Sequence, residues 1–228
     1  MLDAYLFVTH GSRDPRPQQA VQDLARRVAA RQLGLLVETA ALELQMLPLH
    51  QQIRQFSDRA FDLGILSIQV LPLFLLRGVH VMEDIPAEVE LARQSLEDNR
   101  SIHLRSHLGS HPQLLDLLAD SIAASPIVNS TKTTAWILLA HGSRRPGGNQ
   151  GVEAIADRLE SNDRSCVKAA YWSVAPSLEE QIKTLVNAGY LNIGIVPYFL
   201  FAGGITEAIG QSVDRFRCQF PQLQFYLA

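Results

Sequence analysis

Two histidines and one glutamate lie at the ends of strand-like apolar stretches in the first half of the chain. His10 ends the stretch "YLFVTH", Glu43 lies in "ALEL", and His80 follows "VLPLFLLRG". Two imidazoles and a carboxylate are donors that suit a borderline divalent cation. The same groups transfer protons near neutral pH. The pattern predicts a metal site or an acid–base site, provided that the fold brings the three side chains together.

The surroundings of His10 are repeated further along the chain. The phrase "HGSR" begins at His10 and again at His141. After each copy, apolar residues recur with i, i+3, i+4, i+7 spacing, which is typical of the buried face of an amphipathic helix. Self-similarity at a fixed interval indicates an internal duplication.

Both halves alternate strand-like and helix-like patterns in the same order. Near-continuous apolar runs such as "LGILSIQVLPLFLLRG" and "AGYLNIGIVPYFLFAG" are typical of parallel strands covered on both faces. We therefore predict an α/β protein of two similar domains, each a four-stranded parallel sheet flanked by helices. A polar segment at 123–135 places the boundary between domains 1–128 and 129–228, with one additional helix, through Leu115 and Ile122, in the first domain.

Ligands of parallel sheets bind beyond the carboxyl ends of the strands, so the three candidate side chains are expected to face one crevice. The second half does not repeat the set. His141 keeps the first position, but Trp172 and Ile205 stand where the first half has Glu43 and His80, and one residue is missing near Ile205. We therefore expect a single active site, in the first half.

Polar residues beside the two histidines are candidates for binding an acidic ligand. Ser12 and Arg13 follow His10, and Arg77 lies shortly before His80. A glycine-serine turn after a strand can cradle an anion, and arginine pairs with carboxylates. The alternative is an ordinary solvated arginine, and for each histidine a polar residue without a ligand. Neither a Gly-x-Gly-x-x-Gly nor a Walker pattern is present, which argues against a nucleotide-binding fold.

The composition narrows the class of protein. The 228 residues are 47% hydrophobic and carry a formal net charge of −3, which is typical of a globular protein and provides no basic excess for nucleic acid. No apolar run is long enough to span a bilayer, and we identify no export signal, so we expect a cytoplasmic protein without a membrane partner. Cys166 and Cys218 are then expected to be free thiols.

Three phrases, "FVTHGSRDPR", "LEL" and "VLPLFLLRGVHVMEDIP", in this order and spacing, resemble the class II chelatases. The similarity is greatest to the sirohydrochlorin chelatases of the CbiX/SirB type, and it covers both halves, including the duplication of the longer members. It implies a lyase that inserts a divalent metal into sirohydrochlorin, towards sirohaem with iron or cobalamin with cobalt.

The resemblance also implies roles for particular residues. His10 and His80 match the family's histidines that handle the metal and the pyrrole protons, and Glu43 matches its strand-two acid. The chemistry leaves open which histidine binds the metal and which accepts a proton. These donors accept iron, cobalt and nickel alike. We favour Fe2+ over Co2+, because sirohaem is the more widely needed product.

The resemblance further implies that no prosthetic group is required, because the metal is a substrate. The duplication supplies in one chain the pair of domains that shorter members obtain by dimerising. We therefore expect a monomer with pseudo-two-fold symmetry.

Two other functions are compatible with parts of the pattern. One is a tetrapyrrole- or metal-binding protein without turnover, which would take up its ligand without accelerating metal insertion. The other is a histidine phosphatase, whose Arg-His-Gly motif is partly matched by "THGSR". Thr9 stands where that motif needs an arginine.

Overall fold

The computed structural model describes residues 3–96, 99–126, 133–163 and 166–228. The chain forms two compact units that divide between His111 and Pro112. Each unit contains a four-stranded sheet, and the strand pairings in both sheets are parallel. The predicted α/β fold class is confirmed. Within the described ranges, no helix is both long enough and apolar enough to cross a membrane.

The first unit has three main helices around its sheet. Its strands are β1 (Asp3–Thr9), β2 (Leu35–Ala41), β3 (Ser67–Pro72) and β4 (Ser101–Leu104), and its helices are α1 (Pro15–Arg31), α2 (Leu49–Asp62) and α3 (Ile85–Gln94). The strands lie in the order β2-β1-β3-β4. The strands that precede His10, Glu43 and His80 are therefore neighbours in the sheet.

The core of the first unit includes one face of the sheet and helix α2. Ala4, Leu6 and Val8 alternate along β1, are at most 1% exposed, and pack in one cluster with Ile53 and Phe56 of α2. The two-residue period of a strand sends alternate side chains to one face, and the apolar stripe of the helix covers them. This packing holds the carboxyl ends of β1, β2 and β3 at the same edge of the sheet.

The second unit repeats this arrangement. Its strands are β5 (Thr134–Ala140), β6 (Cys166–Tyr171), β7 (Asn192–Pro197) and β8 (Gln224–Leu227), and its helices are α4 (Gln113–Ala123), α5 (Gln150–Asp163), α6 (Leu178–Asn187) and α7 (Gly204–Gln219). The strand order β6-β5-β7-β8 matches that of the first unit. Alternate residues of β5, Ile137 and Leu139 among them, pack with Ile182 of α6 and Ile209 of α7. The repeat seen in the sequence is thus a repeat of the fold.

Helix α4 is the element on which the predicted domain boundary and the division into compact units differ. We predicted it as an additional helix of residues 1–128, but it lies in the second unit, where it contacts α5 and β7. Its apolar face determines its place, since Ile122 is only 3% exposed. The compact units therefore divide before α4, whereas the predicted linker at 123–135 follows it. Residues 127–132 of that linker lie outside the described ranges.

Candidate functional site

The ends of β1 and β2 bring the first two candidate side chains together. The parallel ladder continues past both strands: the Leu42 amide donates to the Thr9 carbonyl and the Glu43 amide to the His10 carbonyl, each at 2.9 Å. Nε2 of His10 lies 4.0 Å from Oε2 of Glu43, and each side chain is 50% exposed. Both groups are therefore accessible to a ligand from solvent.

Gly11 permits this close approach. Its φ is +99°, and a Cβ at this position would overlap the carbonyl oxygen of Glu43. Nδ1 of His10 lies 3.3 Å from the Gly11 carbonyl oxygen. Because a carbonyl only accepts hydrogen bonds, this contact favours the tautomer with hydrogen on Nδ1 and leaves a lone pair on Nε2, beside Glu43.

A π-helical turn at His80–Asp84 positions the second histidine. The Ile85 amide donates to the His80 carbonyl, five residues back, which defines the turn. Nδ1 of His80 lies 2.7 Å from Oδ2 of Asp84. A carboxylate here holds hydrogen on Nδ1 and leaves the Nε2 lone pair available. Asp84 was not among the predicted site residues, although its i, i+4 spacing from His80 is a usable signal.

The three candidate side chains meet in one open cluster. Single donor atoms from His10, Glu43 and His80 all lie within 4.8 Å of one another. The two histidine rings meet edge to face, with centroids 4.7 Å apart. His10 and Glu43 are exposed and His80 is partly buried. Two imidazoles and a carboxylate in this arrangement can hold a borderline divalent ion, and their exposure lets a second molecule reach it.

The loop that leads from β3 to the π turn is supported by the segment that follows β4, the neighbour of β3 in the sheet. The Gly109 amide donates to the Phe74 carbonyl at 2.9 Å, from a 3₁₀ turn at Leu108–Ser110. A Cβ on Gly109 would overlap the main chain of Leu75, so only glycine allows the two segments to touch. The ring of Phe74 lies 6.3 Å from that of His80. The 3₁₀ turn thereby supports the loop that carries His80.

The predicted ligand-binding residues lie on the two histidine loops. Ser12 and Arg13 are exposed in the turn after β1, and Arg77 is exposed after β3. The Ser12 hydroxyl accepts the Asp14 amide at 3.0 Å, so it also stabilises the turn before α1. Nε of Arg77 donates to the sulfur of Met82, in the π turn, at 2.8 Å. Both arginines keep their charged groups in contact with solvent.

Two other histidines of the first unit, His50 and His107, lie outside the cluster. Nδ1 of His50 lies 2.9 Å from Oε2 of Glu88, and that oxygen also accepts the His50 amide. Burial, followed by the charge of Arg77, lowers the pKa of His107. His107 is therefore mainly neutral at pH 7.

The second unit corrects one predicted equivalence. The Ser173 amide donates to the His141 carbonyl at 2.9 Å, as Glu43 does to His10, so Ser173 and not Trp172 occupies the place of Glu43. The sequence alignment was displaced by one residue. Consecutive alanines near the ends of both strands let the apolar pattern fit in either register, and only main-chain pairing distinguishes them.

The second unit also lacks the π turn. Helix α7 starts at Gly204 and is α-helical throughout, and the fully buried Ile85 and Ile209 occupy equivalent places in the two units. Ala208 is therefore the residue equivalent to Asp84, one residue before the buried isoleucine. Within the described ranges, the cluster in the first unit is the sole group of three metal-ligating side chains. The second unit has no equivalent of it among those residues.

Comparison with known proteins gives the family. The sequence pattern of the CbiX family matches residues 4–125 and 135–228. The chain therefore belongs to the CbiX family, which confirms the resemblance seen in its motifs.

Two curated proteins of Priestia megaterium are similar to this chain. It is 27% identical over 233 residues to a sirohydrochlorin cobaltochelatase, a match that covers 100% of this chain and 74% of the relative. It is 25% identical over 218 residues to a sirohydrochlorin ferrochelatase, covering 94% and 79%. Among solved structures, SirB from Bacillus subtilis with Fe3+ matches with a TM-score of 0.78 at 25% identity, covering 100% of this chain and 88% of that one.

Proposed function

We propose that this protein is a sirohydrochlorin chelatase, a lyase that inserts a divalent metal ion into sirohydrochlorin. The observation that carries the proposal is the convergence of donor atoms from His10, Glu43 and His80 within 4.8 Å at an open strand edge. Membership of the CbiX family and similarity to a cobaltochelatase and a ferrochelatase support the choice of substrate. Metal and tetrapyrrole are both substrates here, and no prosthetic group is needed.

In this proposal the catalytic residues His10, Glu43 and His80 first hold the metal ion. His80 offers Nε2, because its Nδ1 is engaged by Asp84 at 2.7 Å. His10 offers Nε2 for the corresponding reason, since Nδ1 faces the Gly11 carbonyl. The Glu43 carboxylate supplies a negative charge that offsets part of the charge of the ion as it sheds water. Half exposure of His10 and Glu43 leaves a path for the ion to leave.

Insertion exchanges one dication for two pyrrole protons, and the two histidines can take part in both halves of that exchange. As the bond from the metal to His10 or His80 breaks, the imidazole regains a lone pair. That lone pair accepts a pyrrole proton near neutral pH. Two positive charges leave the cluster with the metal and two enter with the protons, which then pass to solvent. Each histidine thus acts as ligand and as base in turn.

The residues on the rims of the two loops bind the edge of the macrocycle in this proposal. Sirohydrochlorin is flat and rich in carboxylates. Arg13 and Arg77 are exposed beside the cluster, and their planar guanidinium groups suit two-point pairing with a carboxylate. The hydroxyl of Ser12 is exposed next to Arg13 and adds a hydrogen bond to the same periphery.

We propose Fe2+ as the physiological metal, with Co2+ a close second and Ni2+ a further ion that the donors accept. Imidazole and carboxylate bind all three, so availability in the cell selects among them. We also propose that the chain acts as a monomer, because it already contains two copies of the fold. A stable dimer mass in light scattering would contradict the monomer.

The test of the function is an anaerobic absorbance assay with sirohydrochlorin and each of the three metals. We expect the wild type to accelerate insertion, His10→Ala and His80→Ala to abolish that acceleration, and His141→Ala to keep most of it. His141→Ala is the matched control, since it removes the same side chain from the same motif in the second unit. Equal losses at His10 and His141 would refute a single site in the first unit. Stoichiometric uptake without acceleration would identify a binding protein instead.

A further inference from the structure

Of the three loops that carry the cluster, those after β2 and β3 are each one residue longer than their counterparts in the second unit. One extension is the π turn at His80–Asp84, which α7 lacks. The other lies at 42–48 between β2 and α2, where the second unit has only 172–177 between β6 and α6. The π turn positions His80, whereas the mechanism above uses only Glu43 from the segment 42–48.

The extension at 42–48 holds Leu44 in an unfavourable conformation. Leu44 has a φ of +59°, and among the described residues it is the sole non-glycine residue with a positive φ. This backbone conformation is strained for leucine, because it brings Cβ too close to the following carbonyl oxygen. Its side chain is also 55% exposed, and that of Met46 is 101% exposed. Backbone strain and exposed apolar surface therefore coincide directly after Glu43.

The ends of the segment are fixed, while its middle is open. Gln52 of α2 accepts the Ala41 amide at 3.1 Å and donates to the Leu47 carbonyl at 2.9 Å. Both ends are thereby tied to the helix, and Leu44 and Met46 lie between them. A segment held at both ends in this way presents its apolar side chains in a defined position.

We propose that Leu44 and Met46 form an apolar contact surface for one face of the sirohydrochlorin ring. The inference rests on the proposed function. Leu44 directly follows Glu43, so a ring whose central nitrogens approach the metal cluster comes close to this segment. The face of the ring is apolar while its carboxylates lie at the edge, and leucine and methionine suit the face as Arg13 and Arg77 suit the edge.

Burial against the ring would account for the exposed side chains. Contact with an apolar face removes Leu44 and Met46 from water, which favours the complex. The unbranched thioether of Met46 can adapt to a ring that is not perfectly flat. In this proposal, the left-handed backbone at Leu44 directs its side chain towards the ring, next to the metal-binding residue Glu43.

Two variants and one matched control test this surface. Leu44→Gly removes the side chain and relieves the strain, because glycine adopts a positive φ at little cost. Met46→Ala removes the thioether. The control is Leu33→Ala: Leu33 is 102% exposed, but it precedes β2 and so lies at the opposite end of that strand from Glu43. Each protein is titrated with metal-free sirohydrochlorin by equilibrium dialysis, and separately with Co2+ alone.

We expect Leu44→Gly and Met46→Ala each to raise the Kd for sirohydrochlorin about fivefold to tenfold, through lost apolar burial. Leu33→Ala should bind as the wild type does, and all three variants should keep the wild-type affinity for Co2+. Leu44→Gly should melt at or above the wild-type temperature, which separates lost contact from lost folding. Unchanged sirohydrochlorin binding in both loop variants would overturn this inference alone. A wild-type protein that binds no sirohydrochlorin would overturn the proposed function as well.

Discussion

The hydrogen bond between His80 and Asp84 makes a quantitative prediction about metal binding. At 2.7 Å between Nδ1 and Oδ2, it is a short contact to a charged acceptor. Asp84→Ala removes the group that keeps hydrogen on Nδ1 and restrains rotation of the ring. A smaller fraction of molecules then presents the Nε2 lone pair to an incoming ion.

The magnitude follows from the exposure of the pair. Loss of an outer carboxylate on a metal-binding histidine typically reduces metal affinity 10–100-fold, or about 1.4–2.7 kcal/mol. The side chains of His80 and Asp84 are 33% and 44% exposed, so water screens the pair and partly replaces the carboxylate. We therefore expect the lower end of the range, about tenfold for Asp84→Ala. Asp84→Asn keeps an acceptor oxygen without the charge and should lose less.

The assay is a titration with Co2+ alone, followed through the visible absorption of the bound ion. Its band positions report the ligands, so a changed spectrum shows that His80 is positioned differently as well as bound more weakly. Glu88→Gln is the matched control, because it alters a histidine–carboxylate contact of 2.9 Å, that with His50, outside the cluster. The control should keep the wild-type affinity and spectrum.

Asp84 would have no positioning role if a folded Asp84→Ala protein bound Co2+ with wild-type affinity and an unchanged spectrum. Asp84→Glu adds a test in the other direction, since a longer carboxylate can still reach Nδ1. Partial recovery of affinity relative to Asp84→Ala would support the hydrogen bond as the cause. Equal losses in Asp84→Ala and Glu88→Gln would instead point to a general loss of stability.

Three further predictions concern stability. Gly11→Ala should lower the free energy of unfolding by about 2 kcal/mol, because alanine is strained at a positive φ and its Cβ would overlap the Glu43 carbonyl. Urea unfolding measures this change, and wild-type stability in the variant would contradict the close approach of Gly11 to Glu43. Burial raises the pKa of Tyr198 to about 12, and its hydroxyl has no hydrogen-bond partner among the described residues. Tyr198→Phe should therefore leave the free energy of unfolding unchanged or raise it by about 1 kcal/mol. The pKa of His107 is lowered on folding by burial and by Arg77, so its stabilising contribution is present above its unfolded pKa of about 6.5 and is lost as pH falls through the folded value. His107→Gln should therefore reduce the loss of stability between neutral and mildly acidic pH, and an unchanged pH profile would count against this.

Sequence patterns were sufficient to predict the architecture of two parallel sheets and the three side chains that meet in the cluster. The repeated phrases at His10 and His141, and the alternation of strand and helix periods, predicted two similar parallel sheets. In such a sheet, strands that are neighbours end at one edge, so residues that end strands meet there whatever their distance in sequence. That rule brought His10, Glu43 and His80 into one prediction, and the structure places their donor atoms within 4.8 Å.

Tertiary structure decided what depends on main-chain pairing and on single-residue changes in the loops. An apolar pattern fits two registers where small residues are consecutive, so Ser173 replaced Trp172 only once the hydrogen bonds were known. The π turn that joins Asp84 to His80, and the left-handed backbone at Leu44, each arise from one additional residue, which leaves the hydrophobic period unchanged. The repeat in the sequence was thus enough to predict the fold of both units. The main-chain geometry of the loops after β2 and β3, each one residue longer than in the second unit, determined two of the places where the first unit differs from the second.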